Sequence, residues 1–201
     1  MFVLMRNMLV VMLLFLSSGC TLMSPVKTET KTTYVLNTVP HPMMKRSKRQ
    51  ITLLVTRSES GAIYNTTEMV YAIKPYQIAY FVKNSWADSP TKMLQPLIIQ
   101  TMQNTHYFHG VNLPSFSGKY DFVLNTQLLQ LQQDFFNEYS VVHLTLRAQL
   151  VDAATSRVIA AKQFSVEEVA PSNNPYGGVI AANKATASIL KQLAKFCLDN
   201  L

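Results

Sequence analysis

Ser140-Val141-Val142-His143-Leu144-Thr145-Leu146-Arg147-Ala148-Gln149-Leu150-Val151-Asp152 is the stretch whose reading decides the fold. Val142, Leu144, Leu146, Ala148 and Leu150 alternate with His143, Thr145, Arg147 and Gln149. A period of two puts the first set on one face of an extended strand and the second set on the other. The flanking segments read the same way. Upstream, Asp121 to Gln133 is a strand with Phe122, Leu124 and Leu128 on one face. Downstream, Ala153-Ala154-Thr155-Ser156 is a short link to a strand over Arg157 to Val169. Links this short join antiparallel neighbours, because a parallel crossover needs a dozen residues or more. The three strands are predicted to form an antiparallel meander.

Further from the meander the signals are shorter. Tyr34-Val35-Leu36 is the first strand signal. Gln50 to Arg57 reads as a buried strand around Ile51, Leu53, Leu54 and Val55, broken by Ser58-Glu59-Ser60-Gly61. Glu68-Met69-Val70-Tyr71 and Gln77 to Val82 flank Lys74-Pro75, which suits a hairpin. Ser89 before Pro90 is a helix start, a hydroxyl cap followed by a residue without an N–H. Met93, Leu94, Leu97, Ile98, Thr101 and Met102 then recur at helical spacing. Pro96 removes one main-chain donor, so irregularity is expected near it. Val111 to Gly118 reads as loop with a short strand, and Pro171 to Gly178 as loop, with Asn173, Asn174 and Pro175 offering a second helix start. Val179 to Leu198 is an alanine-rich helix with Val179, Ala182, Thr186, Ile189, Leu193 and Phe196 on its core face. The fold class is α/β: a mixed β-sheet with an antiparallel meander, packed by at least two helices in a single domain.

The amino-terminal segment has a different character. Arg6 precedes the apolar run Met8 to Leu16, which ends in Ser17-Ser18-Gly19-Cys20. A basic start, a short apolar run and small residues read as an export signal. The run is shorter than the ~20 residues a spanning helix needs. A cysteine after the small pair resembles the lipobox of bacterial lipoproteins, in which cleavage leaves Cys20 as a diacylated amino terminus. The usual lipobox has Leu three residues before the cysteine; here Ser17 stands there and Leu16 precedes it. The alternative is an ordinary cleavable signal that contains Cys20. The expected organisation is a lipoprotein signal peptide at 1–19, a flexible polar tether at 20–33 and a folded domain at 34–201.

Composition narrows the function classes. The formal charge is +7, which suits an anionic partner, and export makes nucleic acid the poorest candidate. Charged residues are only 14% against a typical ~25%. The surface is therefore finished with neutral polar side chains or covered by partners. The two cysteines are Cys20 and Cys197. With Cys20 acylated, Cys197 has no partner within the chain, and its place on a helical core face reads as a small buried hydrophobe rather than a reactive thiol. Lys45, Arg46, Lys48 and Arg49 form a basic loop, read either as a solvated loop or as a contact for anionic headgroups.

The search for chemistry returns little. There is no phosphate-binding Gly-rich loop with a following Lys and Ser or Thr, and no G-x-S-x-G elbow. His106 and His109 sit at an expected helix end, where histidine is favourable on electrostatic grounds. His143 lies on the polar face of its strand. No catalytic residue, metal or cofactor is expected. Candidate partner contacts are the aromatics Tyr71, Tyr76, Tyr80 and Trp86, with core packing the preferred reading for Trp86.

Five fragments line up with one family: Tyr34-Val35-Leu36, Glu68-Met69-Val70-Tyr71, Trp86-Ala87-Asp88-Ser89-Pro90, Met93-Leu94 and Ala181-Ala182-Asn183-Lys184-Ala185. Together they resemble the ABC-type transport auxiliary lipoproteins, the group that includes paraquat-inducible protein C. The resemblance implies a mixed α/β domain without enzymatic activity. It implies a partnership with a transporter built from an ATPase, a permease and a mammalian-cell-entry-type protein, and a homo-oligomeric ring. Thr21, in place of Asp after the cysteine, implies sorting to the outer membrane in enteric-type bacteria. The alternative function is a structural envelope lipoprotein concerned with outer-membrane integrity or secretion. An exported hydrolase has the least support.

Overall fold

The computed structural model describes residues 30–41, 46–115 and 117–201. Within Lys31–Leu201, nine strands form one open mixed sheet, and two helices pack against it. The strands are β1 (Thr32–Tyr34), β2 (Thr52–Val55), β3 (Glu59–Ser60), β4 (Glu68–Ala72), β5 (Ala79–Trp86), β6 (Gly110–Asn112), β7 (Phe122–Asp134), β8 (Val141–Asp152) and β9 (Val158–Val169). The helices are α1 (Pro90–Asn104) and α2 (Pro175–Asn200).

β7 is the spine of the sheet. Along one edge it pairs antiparallel with the whole of β8, from Phe122 opposite Asp152 to Asp134 opposite Val141. β9 then pairs antiparallel with β8, so the expected meander is present. Along its other edge β7 is met in succession by β2, β3 and β4, all parallel to it: Leu53 lies opposite Phe122, Glu59 opposite Gln127 and Ala72 opposite Asp134. These three short pieces act as one broken strand laid end to end along β7. The outer neighbours are β6, parallel to β2, and the antiparallel β5 beside β4, with β1 parallel to β5 at the edge.

The alternation read in β8 separates the two faces. Leu144, Leu146, Ala148 and Leu150 are buried with Leu124, Leu128 and Leu131 of β7 under the helices. A bulge between Leu128 and Gln130 shifts the register by one residue. It keeps Leu131 on the core side after an odd step. α2 supplies Ala181, Ala182 and Ala185, whose small side chains let its axis come close to the sheet, and Ile189, Leu190, Leu193 and Cys197, which fill the space beyond. Phe164 of β9 meets Phe196 of α2 edge to face at 5.8 Å.

Several elements depart from the expected boundaries. The first strand is Thr32–Tyr34, not Tyr34–Leu36. Asn183 of α2 captures the chain just beyond it, donating to the Val35 carbonyl at 3.0 Å and accepting from the Asn37 N–H at 2.9 Å. That pulls the chain off the sheet and drops Leu36 into the core. Thr32 and Thr33, inside the stretch read as tether, already pair with Asn84 and Ser85. α2 begins at Pro175, so Gly177 and Gly178, expected in a loop, lie in its first turn. Asn174 is the cap, its side chain accepting from the Gly177 N–H at 2.8 Å. The Ser89 hydroxyl makes no cap bond to α1; it turns to Thr91 at 3.3 Å, while the Ser89 carbonyl accepts the Lys92 and Met93 N–H groups. α1 runs unbroken through Pro96. Pro96 is exposed, as is Lys92, whose carbonyl loses its donor there, so water is at hand to replace it.

Candidate functional site

Two hairpin turns stand side by side at one end of the sheet. The first joins β4 to β5 through residues 73–78, and the second joins β7 to β8 through residues 135–140. They adjoin because β4 and β7 are parallel and end together: Ala72 pairs with Asp134, and the Phe135 N–H donates to the Ala72 carbonyl at 2.8 Å. Beneath the turns Tyr71 stacks on Phe81 at 4.4 Å between ring centroids, and Phe135 meets Tyr71 edge-on at 6.1 Å. These three rings are half-buried and close the end of the core. Above them Ile73 (60% exposed), Tyr76 (fully exposed), Phe136 (43%) and Tyr139 (61%) project into solvent. Tyr76 adopts φ 65°, a left-handed conformation that a bulky side chain rarely takes.

The aromatic candidates therefore fall into three environments. Trp86 is 5% exposed and belongs to the core. Tyr71 and Tyr80 are half-buried on the β4–β5 hairpin. Tyr76 alone of the four has its ring free of the fold. Ile73, Phe136 and Tyr139 share its end of the sheet and were missed in the sequence. The available signal was Phe135-Phe136-Asn137-Glu138-Tyr139, an aromatic-rich turn between two strands whose own period had already placed their apolar residues.

The basic segment lies at the other end. α2 spans the sheet, with its start held at the β7–β8 turn. There Asn173 accepts from the Ser140 N–H at 2.7 Å and donates to the Glu138 carbonyl at 2.6 Å. At its far end Arg46 donates to the Leu198 carbonyl at 2.8 Å and pairs with Asp199. The Asp199 carboxyl is held below its ordinary value first by the Lys195 hydrogen bond and then by Arg46. The Arg49 guanidinium lies over the Tyr107 ring at 5.9 Å, and the Arg49 main-chain N–H donates to the Tyr107 carbonyl. Lys48 is exposed. Lys45 and Cys20 lie outside the described residues.

The sheet face turned away from the helices is polar. Arg57, Glu59, Asn125, Gln127, Arg147 and Gln149 line a shallow cleft on it. Nearby, a chain of polar contacts crosses the strands. Tyr64 donates to Gln132 at 3.1 Å, and Gln132 donates to Asp134 at 2.7 Å. His143 sits with Nε2 3.3 Å from Asp134 and Nδ1 3.3 Å from Glu167. Burial, then the Asp134 carboxylate, push the Tyr64 phenol above its ordinary value. Both His143 nitrogens face carboxylates rather than a hydroxyl or thiol, so the arrangement is not that of an activated nucleophile. His106 and His109 fall in the loop after α1, and among the described residues no group of three or more His, Cys, Asp or Glu is placed to hold a metal. Cys197 is fully buried, and burial pushes its thiol up to about 12, far from the range of a reactive thiolate. Among the described residues no helix is long and apolar enough to cross a membrane.

The described residues form an open sheet with helices on one face, a polar opposite face and an aromatic end. The chain belongs to the family of ABC-type transport auxiliary lipoprotein components, whose model matches residues 34–194. No curated protein sequence matches it. Among solved structures it is similar to protein XCC0632 from Xanthomonas campestris, at 19% identity and a TM-score of 0.75, over 84% of this chain and 96% of that one. It is similar to an uncharacterized protein at 16% identity and a TM-score of 0.66, over 84% of this chain and 99% of that one. A hypothetical protein from Chlamydia trachomatis follows at 8% identity and a TM-score of 0.52, over 76% of this chain and all of that one. At such identities these likenesses speak to the fold alone.

Proposed function

We propose that the chain is a lipid-anchored, non-catalytic docking component of an ABC transporter that moves lipid, working at the periplasmic face of the outer membrane. The observation that carries this reading is the family match over residues 34–194, which begins shortly after the lipobox-like Cys20. In this reading residues 1–19 are removed, Cys20 is acylated, and the following polar residues tether the domain. The partner is a mammalian-cell-entry-type protein, and the domain assembles into a homo-oligomeric ring that receives it. The transporter supplies the energy; this chain supplies position. The polar cleft around Arg57 and Arg147 gives such a partner a hydrogen-bonding surface on the face that the helices leave open.

The test is affinity capture of the full-length chain from detergent-solubilised membranes after cross-linking in cells. Co-purification of a permease or a mammalian-cell-entry-type protein is the expected result. Capture without any transporter subunit contradicts the reading and favours a structural envelope lipoprotein instead.

A further inference from the structure

The direction of β1 carries information about where the membrane lies. β1 is parallel to β5, with Thr32 opposite Asn84 and Tyr34 opposite Trp86. β5 runs away from the β4–β5 turn, from Ala79 to Trp86. β1 therefore enters the sheet from the side of that turn, where Ile73, Tyr76, Phe136 and Tyr139 are exposed. At ~3.3 Å per residue, Ala79 lies about 17 Å from Asn84 along the strand. The segment from Cys20 to Thr32 reaches at most about 40 Å when fully extended. A tether of that length is long enough to bring its lipid anchor to the turns.

The exposed residues at this end have the character of a bilayer interface. Tyrosine is enriched there because its ring is apolar and its hydroxyl is wet. Nothing in the fold selects an aromatic at Tyr76, whose ring packs on no neighbour and whose φ of 65° favours glycine. The charged residues on the two turns are Lys74 and Glu138, one of each sign, so the patch has no net charge to repel a headgroup layer. The basic end, with Arg46, Lys48 and Arg49, lies about 39 Å away, the length of a helix of 26 residues at 1.5 Å each.

We propose that Ile73, Tyr76, Phe136 and Tyr139 rest in the interfacial layer of the bilayer that holds the Cys20 lipid, so that the domain stands on its hairpin turns and presents its basic end to the periplasm. This rests on the reading of Cys20 as acylated. The chain's single tryptophan, Trp86, is buried, so an added tryptophan reports its own surroundings. The test places Tyr76→Trp, Tyr139→Trp and, at the far end, Lys48→Trp singly in the full-length lipidated protein. Each is reconstituted in phosphatidylethanolamine–phosphatidylglycerol vesicles containing lipids brominated near the headgroup end of the acyl chain. Loss and blue shift of the added emission at Tyr76→Trp and Tyr139→Trp, with Lys48→Trp unaffected, is the expected result. Quenching of Lys48→Trp alone overturns the proposal in favour of docking through the basic end. Unquenched turns in a protein that still floats with the vesicles overturn it while leaving the anchor intact. A protein that fails to float removes the anchor reading and this proposal with it. Wild-type flotation with turns that become shielded only when transporter subunits are added overturns it in favour of a protein partner.

Discussion

Trp86 and Tyr76 carry the same class of side chain ten positions apart and do opposite things. Trp86 ends β5 with its main-chain N–H donating to the Thr67 carbonyl at 2.7 Å and its ring in the core. Tyr76 sits on a turn with its ring in solvent. Residue type alone does not separate them; position relative to the strand ends does. Cys197 shows burial acting on chemistry. With its thiol pushed up to about 12 by loss of solvent, it is predicted to stay unmodified by Ellman's reagent at pH 8 in the native protein. It becomes stoichiometrically reactive on unfolding in guanidinium. The protein for this assay carries Cys20→Ser, which leaves Cys197 as its one thiol, and rapid native reaction would contradict the burial described. Cys197 was legible in the sequence because it fell on a helical core face. Core packing was already the preferred reading for Trp86, and the structure has it so; the exposure of Tyr76 was not legible, because an exposed turn residue has no period to betray it.

At the scale of elements, the start of α2 is held more tightly than its composition suggests. A Cβ on Gly177 would lie 2.1 Å from the Ser172 carbonyl oxygen, and one on Gly178 would lie 2.1 Å from the Gln133 amide oxygen. Gln133 has little room to yield, because its amide nitrogen donates to Ser140 at 2.9 Å and to the Asn174 carbonyl at 3.2 Å. Gly177→Ala is therefore expected to destabilise the fold by about 1–3 kcal/mol, the cost of overpacking a closed site. Gly61→Ala, at a site with nothing within 4 Å and an ordinary φ of −64°, is expected to be neutral or stabilising by up to about 1 kcal/mol. Urea unfolding of the two variants beside the parent measures the contrast, and equal midpoints would contradict it. The meander was legible because long strands with one buried face repeat every second residue. β2 and β4 were legible as strands, but their joining through β3 into one broken strand along β7 was not. Pieces as short as Glu59–Ser60 owe their strand state to pairing with β7, far away in sequence. The start of α2 was legible in Asn174 and Pro175, which the structure has as cap and first residue. Gly177 and Gly178 read as loop, but in the fold they are what lets the helix approach Ser172 and Gln133.

At the largest scale, the unit Lys31–Leu201 is polarised along the sheet. One end carries two aromatic turns, and β1 enters from that side; at the other, Arg46 meets the carboxyl end of α2 and Arg49 lies over Tyr107. That polarity gives the basic segment a place that its composition did not. Arg46 serves the fold by closing the end of α2, and Arg49 rests over Tyr107, so the segment is more than a free loop. The polar face of β7 and β8 was foreseeable from the alternation of Gln127, Arg147 and Gln149, but its convergence with Arg57 and Glu59 depended on long-range pairing. All of this serves transport only if the domain is fixed at a bilayer. The most direct measurement is metabolic labelling with an alkyne fatty acid in cells producing the wild-type chain or Cys20→Ser, followed by membrane fractionation. The account predicts label and membrane sedimentation for the wild type, and neither for Cys20→Ser. A Cys20→Ser protein that still sediments with membranes after a high-salt wash, beside an unlabelled wild type, would contradict it.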